Sequence, residues 1–240
     1  MGIIRIESKS TRMVAHRGLS GLEMENTVAA FVAAGNRSYW GVETDTHRTS
    51  DGHFVVIHDE NTERVAAGLS LSVEESTLAE LQAITLTDKH TGEARSDLRI
   101  PTLHEYLTVC KKYGKASVLE LKSEFTQEEL ERIVEEIRAV GILDQVTFIS
   151  FHPENMLGIR RLLPTQPAQQ LCVDMTEEIF AFIKENHLDL DVCHCNLTKE
   201  WVDRVHEAGL LVNCWTVDDP EVAERLVSWG VDFLTSNILE

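Results

Sequence analysis

Two acidic side chains that stand two residues apart give this sequence its first sign of chemistry. Glu43 and Asp45 follow Val42 in a predicted strand, and because side chains alternate along a strand, both carboxylates would face the same way. Burying like charges together is unfavourable unless a cation or a shared proton compensates. A third carboxylate, Glu120, lies between Leu119 and Leu121. The three carboxylates predict a site for Mg²⁺ or Ca²⁺ rather than Zn²⁺, with a solvated acidic edge as the alternative.

Two histidines stand where acid and base catalysis would need them. His16 follows an apolar run and precedes Arg17. A short predicted strand over residues 54–59 carries His58, with Asp59 beside it. Two groups of near-neutral pKa can remove and donate protons at pH 7, and Asp59 would orient His58. The alternative for each is a structural histidine that is hydrogen-bonded at a strand end.

The elements that must position these side chains alternate between short apolar runs and helical patterns. This order is typical of βα units around a parallel sheet. Polar residues at the carboxyl ends of such strands are candidates for catalysis. The sequence therefore predicts a (β/α)8 TIM barrel, with strands at residues 13–17, 42–46, 117–122, 146–150, 170–173, 191–195, 211–216 and 231–235.

Helix start signals and one irregular stretch complete this prediction. Thr102 with Glu105 and Thr126 with Glu129 have the spacing of capping boxes, and Pro220 would occupy a first helical position. Residues 60–100 are polar, with weak helix signals at 73–82. We interpret residues 1–240 as a single barrel domain in which 60–100 form a small embedded insertion after the second strand.

Composition and charge exclude several classes of protein. The 240 residues include 22 Lys and Arg against 40 Asp and Glu, a net charge of −18, which argues against binding to nucleic acid or to an anionic membrane. No apolar run approaches the roughly 18 residues of a membrane span, and the charged start does not resemble a signal peptide. We expect a cytoplasmic protein without stable membrane anchoring. The five cysteines, an odd number without a CxxC pair, are expected to be reduced.

Taken in order, these motifs resemble the glycerophosphodiester phosphodiesterase family. Any one motif is weak, but the ordered set covers nearly the whole chain. It consists of His16-Arg17-Gly18, Glu25-Asn26-Thr27, Glu43-x-Asp45, Thr49-x-Asp51-Gly52, His58-Asp59, Arg64, Pro101-Thr102-Leu103, Glu120-x-Lys122, Ser150-Phe151, Trp215-Thr216-Val217 and Thr235-Ser236-Asn237.

The resemblance implies an activity and a role for each matching residue. It implies a barrel enzyme that hydrolyses a glycerophosphodiester to glycerol 3-phosphate and an alcohol with a divalent cation, Mg²⁺ or Ca²⁺. It makes His16 and His58 the acid/base pair, in either order, with water or the neighbouring glycerol hydroxyl as nucleophile. The remaining matches are the metal ligands Glu43, Asp45 and Glu120, the phosphate-binding cations Arg17 and Lys122, and Trp215 at the barrel mouth.

Some positions depart from the family pattern, and two alternative functions stay open. Asp218 stands where the family usually has Asn, and Ser236-Asn237 stands at an end that usually contains aspartate. Lys122 could instead form a structural ion pair with Glu120. The nearer alternative is a lysophospholipase D or phospholipase-type phosphodiesterase that acts on lipids. The further alternative is a catalytically silent binding barrel.

Overall fold

The computed structural model describes residues 2–240, and eight of its strands run parallel and close into a barrel. Strand β1 pairs with both β2 and β9, which closes the sheet, while β3 pairs antiparallel with the end of β2. The predicted (β/α)8 barrel is thereby confirmed. The strands are β1 (Arg12–Ala15), β2 (Gly41–Arg48), β3 (Phe54–Val56), β4 (Ala116–Leu121), β5 (Val146–Ser150), β6 (Ala168–Cys172), β7 (Asp189–Cys193), β8 (Val212–Trp215) and β9 (Phe233–Ser236).

Helices follow the barrel strands and cover the outside of the sheet. The predicted capping boxes Thr102/Glu105 and Thr126/Glu129 are both formed, and Asp219 caps the helix that begins at Pro220. The helices are α1 (Val28–Gly35), α2 (Leu78–Gln82), α3 (Leu103–Tyr113), α4 (Gln127–Val140), α5 (Pro153–Leu162), α6 (Glu177–Glu185), α7 (Lys199–Glu207) and α8 (Pro220–Trp229).

Two strands end two residues earlier than the sequence predicts. Strand β1 ends at Ala15, because Arg17 (φ 53°) and Gly18 (φ 75°) take left-handed conformations that turn the chain out of the sheet. Strand β7 ends at Cys193, and His194–Asn196 form a short 3₁₀ turn, so the predicted strand 191–195 is wrong at its carboxyl end. All five cysteines are free thiols, as expected, although Cys195 is exposed.

The barrel interior changes from apolar at its base to polar at its mouth. At the base the rings of Trp40 and Phe233 are 5.0 Å apart, and the guanidinium of Arg12 lies over both. Val14 and Val118 belong to the same apolar cluster. The base is therefore closed by packed side chains, and the charged residues lie towards the carboxyl ends of the strands.

The insertion has a small apolar core of its own. Residues buried there form a cluster separate from that between the barrel and its helices: Met24, Val55, Ile57, Val65, Ala66, Val73, Leu81, Ile84, Leu86, Leu98 and Ile100. Helix α2 is shorter than the predicted 73–82. The insertion is anchored at β3, where Ile57 donates a backbone hydrogen bond to the carbonyl of Asp45 (3.1 Å), so this segment sets the position of the next residue, His58.

Candidate active site

Three carboxylates meet at the mouth of the barrel, as the sequence predicts. Strand β2 carries Glu43 and Asp45, and β4 places Glu120 directly beside Asp45 in the strand register. One oxygen from each carboxylate lies within 4.8 Å of the others, and all three residues are buried. The alternative of a solvated acidic edge is therefore wrong.

Burial and mutual repulsion set the charge of this cluster. Burial, together with Asp45 and Glu120, raises the pKa of Glu43 well above its usual range. Burial and Asp45 also raise the pKa of Glu120, to about 8. Although burial opposes it, Arg17 and neighbouring cationic groups hold the pKa of Asp45 below its usual range. The cluster is thus a group of oxygen ligands that a bound cation would stabilise.

Arg17 and Lys122 place positive charge beside the carboxylates. The backbone N–H of Arg17 donates to Glu43 Oε2 (2.7 Å), and its Nε lies 3.4 Å from Asp45 Oδ2. Lys122 Nζ lies 3.1 Å from Glu120 Oε1 and 3.7 Å from Asp45 Oδ1. The ion pair between Lys122 and Glu120 that the sequence left open is therefore formed, and it does not prevent Lys122 from lining the cavity.

A tight turn after β1 positions Arg17. A Cβ atom on Gly18 would lie 2.7 Å from the backbone and side chain of Ala30, and Gly18 also has a positive φ. Only glycine fits without strain, which lets the chain turn against helix α1. Asn26, which was quoted in the resemblance without a role, donates to Asp45 Oδ2 (2.7 Å) and so fixes that carboxylate.

The hydrogen bonds of His16 determine which ring nitrogen is free. Its Nδ1 lies 2.8 Å from Asn237 Oδ1. Because Asn237 Nδ2 donates to Asp218 Oδ2 (2.6 Å), the amide orientation is fixed and His16 Nδ1 must be the donor. Nε2 is left with a lone pair, 4.0 Å from Glu43 Oε2. Burial and Arg17 lower the pKa of His16 to about 4.

The two departures from the family pattern lie beside each other here. Asp218 accepts hydrogen bonds from the side chain and backbone N–H of Asn237 and from Ser236 Oγ. The carboxylate and the amide have exchanged positions relative to the pattern named above. As a result His16 contacts the amide of Asn237, and the negative charge of Asp218 lies behind that amide instead of beside the imidazole ring.

His58 has the carboxylate partner that His16 lacks. Its Nδ1 donates to Asp59 Oδ1 (2.6 Å), as the sequence predicts. Arg64 binds both Asp59 and Glu25, and Glu25 accepts a hydrogen bond from Arg17 (2.8 Å). A chain of alternating charges thus joins the insertion to the turn after β1.

One cavity connects these groups. Seven of the eight predicted site residues line it, and Asp45 belongs to the carboxylate cluster beside it. The opposite half is mostly apolar, with Phe151 and Trp215 in edge-to-face contact (5.7 Å between ring centroids). The lining residues are His16, Arg17, Glu43, His58, Glu120, Lys122, Ile149, Phe151, Leu171, Asp191, Trp215 and Thr235.

Asp191 is a lining residue that the sequence interpretation missed. It lies in β7 between Leu190 and Val192, the same pattern of a carboxylate between apolar residues that drew attention to Glu120. That pattern could have found it. Burial and Glu120 raise the pKa of Asp191 well above its usual range.

Comparisons with known proteins show which family this chain belongs to. Residues 16–239 match the model of the glycerophosphoryl diester phosphodiesterase family. A glycerophosphodiester phosphodiesterase of Caldanaerobacter subterraneus is 30% identical over 225 residues, which cover 92% of each chain. One from Bacillus subtilis is 28% identical over 245 residues, covering 93% of this chain and 82% of that protein.

A solved structure is also similar over nearly the whole chain. It is an Oleispira antarctica phosphodiesterase in complex with the product sn-glycerol-3-phosphate, with a TM-score of 0.88 and 27% identity, and the match covers 95% of this chain and 93% of that one. Within residues 2–240, no helix has the length and apolar character needed to cross a membrane.

Proposed function

Because the chain belongs to the glycerophosphoryl diester phosphodiesterase family, we propose that it hydrolyses glycerophosphodiesters to glycerol 3-phosphate and an alcohol with the help of a divalent cation. The expectation of a phosphodiesterase is confirmed by this membership. The observation that carries the fuller proposal is the arrangement around one cavity: three buried carboxylates, two histidines with defined free nitrogens, and two cationic side chains.

The donor set fits a divalent cation. Glu43, Asp45 and Glu120 offer only oxygen atoms, which Mg²⁺ and Ca²⁺ prefer, and their burial makes an uncompensated cluster unfavourable. When bound there, such a cation would polarise a phosphoryl oxygen and help to generate the nucleophile. Arg17 and Lys122 would bind the remaining phosphate charge at short range, where it outweighs the distant carboxylates of this acidic chain.

His16 is the better placed general base. Its Nδ1 proton is held by Asn237, so the lone pair of Nε2 is free to accept a proton at the cavity. A pKa of about 4 keeps the ring neutral at pH 7. The ring therefore accepts a proton without first losing one.

His58 is the better placed general acid. Asp59 accepts the Nδ1 proton (2.6 Å) and so fixes the orientation of the ring. The remaining nitrogen, Nε2, would then donate a proton to the leaving alcohol oxygen. Arg64 holds Asp59 in place, so the insertion positions the acid.

The pH profile of kcat/KM should report the base. His16 works as a base only above its pKa, so at a cation concentration that keeps the carboxylate site saturated we expect activity to fall as the pH drops through about 4. In the exchange variant Asp218→Asn with Asn237→Asp, a carboxylate would contact Nδ1 and raise this pKa by about one unit or more. The acid limb should move to higher pH by that amount. If the acid limb of the profile has the same midpoint in the exchange variant as in the wild type, a group other than His16 controls it.

Trp215 should bind the part of the substrate that all substrates share. It ends β8, lines the cavity and packs on Phe151. If it contacts glycerol carbons, Trp215→Ala should lower kcat/KM about equally for choline, ethanolamine and glycerol head groups. A loss confined to the choline substrate would instead indicate a cation–π contact, worth roughly 0.5 to 2 kcal/mol.

The proposed function is tested by turnover on a panel of glycerophosphodiesters with and without chelator, with release of glycerol 3-phosphate as the readout. Lysophosphatidylcholine belongs in the same panel. Faster hydrolysis of the lipid would favour the lysophospholipase alternative, and no turnover of any diester would favour a binding barrel.

A further inference from the structure

Asp191 is a buried carboxyl group without a hydrogen-bond partner. Only 1% of the residue is exposed, and among residues 2–240 no group satisfies its Oδ1. Buried polar atoms are nearly always hydrogen-bonded, because leaving one unpaired is unfavourable. A donor for Asp191 is therefore expected to come from outside the chain.

A second unsatisfied polar atom belongs to another residue that lines the cavity. The indole Nε1 of Trp215 is buried and has no acceptor within the described residues. Asp191 and Trp215 lie on the neighbouring strands β7 and β8, and both line the cavity. The site thus holds an acceptor and a donor that are both unpaired.

The other residues that line this half of the cavity are mostly apolar. Ile149, Leu171 and Phe151 line the same half of the cavity, while the histidines and the metal-binding carboxylates come from β1 to β4 and the loops that follow them. A ligand that fits this half has carbon atoms for the apolar walls and a few hydrogen-bonding groups for the two polar atoms.

We propose that Asp191 binds the terminal hydroxyl of the glycerol arm and thereby selects substrates with an intact glycerol group. This inference rests on the proposed function. A carboxyl oxygen accepts a hydrogen bond whether or not the group carries a proton. A hydroxyl can donate to Asp191 and also accept from Trp215 Nε1, whereas an ammonium group can only donate.

The depth of the cavity supports binding of the glycerol arm rather than the leaving alcohol. Asp191 is almost fully buried, whereas Phe151 at the mouth is 39% exposed. At its base the barrel is closed by Arg12, Trp40 and Phe233. A closed end suits the part of the substrate whose size is constant, and a leaving alcohol of variable size must extend towards solvent.

The test compares two substrates that differ by one hydroxyl. Glycerophosphocholine has the terminal hydroxyl, and the choline phosphodiester of 1,2-propanediol lacks it but keeps the hydroxyl beside the ester, so any nucleophilic role of that group is preserved. In Asp191→Val, kcat/KM for glycerophosphocholine should fall about 10- to 100-fold, while kcat/KM for the propanediol ester should change less than about threefold.

Two further variants keep the test decisive. Asp189→Asn makes a polar change on the same strand, where Asp189 accepts from the backbone of Leu211 away from the cavity, and it should leave both substrates unaffected. Asp191→Asn keeps an acceptor oxygen and the side-chain volume. Its ratio of kcat/KM for glycerophosphocholine to kcat/KM for the propanediol ester should therefore be intermediate between the ratios of the wild type and of Asp191→Val. If Asp191→Val does not fold, Asp191→Asn provides the test instead.

The outcomes separate this inference from the proposed function. A wild-type protein that hydrolyses neither diester would refute the proposed function. If the wild type is active but folded Asp191 variants lose equal activity on both substrates, Asp191 has a structural role and the inference is wrong. A loss that follows the choline group, seen as normal activity on glycerophosphoethanolamine, would also overturn it.

Discussion

Exhaustive chelation should abolish hydrolysis, and Mg²⁺ or Ca²⁺ should restore it. We expect a loss of about 10³-fold or more, since a cation in the carboxylate site contributes several kcal/mol of transition-state stabilisation. Cation affinity should also weaken as the pH falls below about 8, because protons then compete for Glu120. Isothermal titration measures the affinity, and initial rates measure the recovery.

Matched variants identify the ligands. Asp45→Asn and Glu120→Gln should weaken both cation binding and the rise in melting temperature that bound cation gives. Glu124→Gln, in an exposed side chain near the same site, should leave both unchanged. Full activity after removal of all divalent ions would refute the cation site, and unchanged affinity in both ligand variants would place the cation elsewhere.

His16→Ala and His58→Ala should each lower kcat by about 10²- to 10⁴-fold while the fold survives, because each removes one proton transfer. The two variants should differ on a p-nitrophenyl phosphodiester. Its leaving group needs no proton, so His58→Ala should lose much less activity on it than on glycerophosphocholine, whereas His16→Ala should lose similar activity on both. Steady-state rates on the two substrates provide the comparison.

A histidine outside the site provides the control for nonspecific effects of replacing a histidine with alanine. His53 has a mostly exposed side chain, and it does not line the cavity, so His53→Ala should retain normal kcat. Circular dichroism and melting temperature confirm that each variant is folded. Near-normal turnover in folded His58→Ala would remove His58 from the mechanism, and an equal loss of both variants on the two substrates would refute the assignment of acid and base.

The arrangement of the site residues could be predicted because it depends on two simple rules. Alternation along a strand put Glu43 and Asp45 on one face, and the parallel barrel brought Glu120 into register with Asp45. The same rules applied to Leu190-Asp191-Val192 would have predicted Asp191. Asp191 lies in the sixth barrel strand, β7, and the sequence prediction assigned no site residue to that strand.

The details that could not be predicted depend on long-range contacts. The end of β1 is set by close contact between Gly18 and Ala30, and the link from Arg64 to Glu25 joins residues 39 positions apart. The hydrogen bond from His16 to Asn237 spans nearly the whole chain. Local patterns carry no information on such pairs, so the neutral ring of His16 could be inferred only from the assembled barrel.

The closed base of the barrel also has a consequence for the order in which products depart. Arg12, Trp40 and Phe233 fill that end, so a molecule in the cavity can leave only past the mouth. If the glycerol arm lies at the deep end, as we propose, the freed alcohol should depart first and glycerol 3-phosphate second. Glycerol 3-phosphate should then be a competitive product inhibitor, whereas added alcohol should inhibit only by rebinding to the complex that still holds glycerol 3-phosphate.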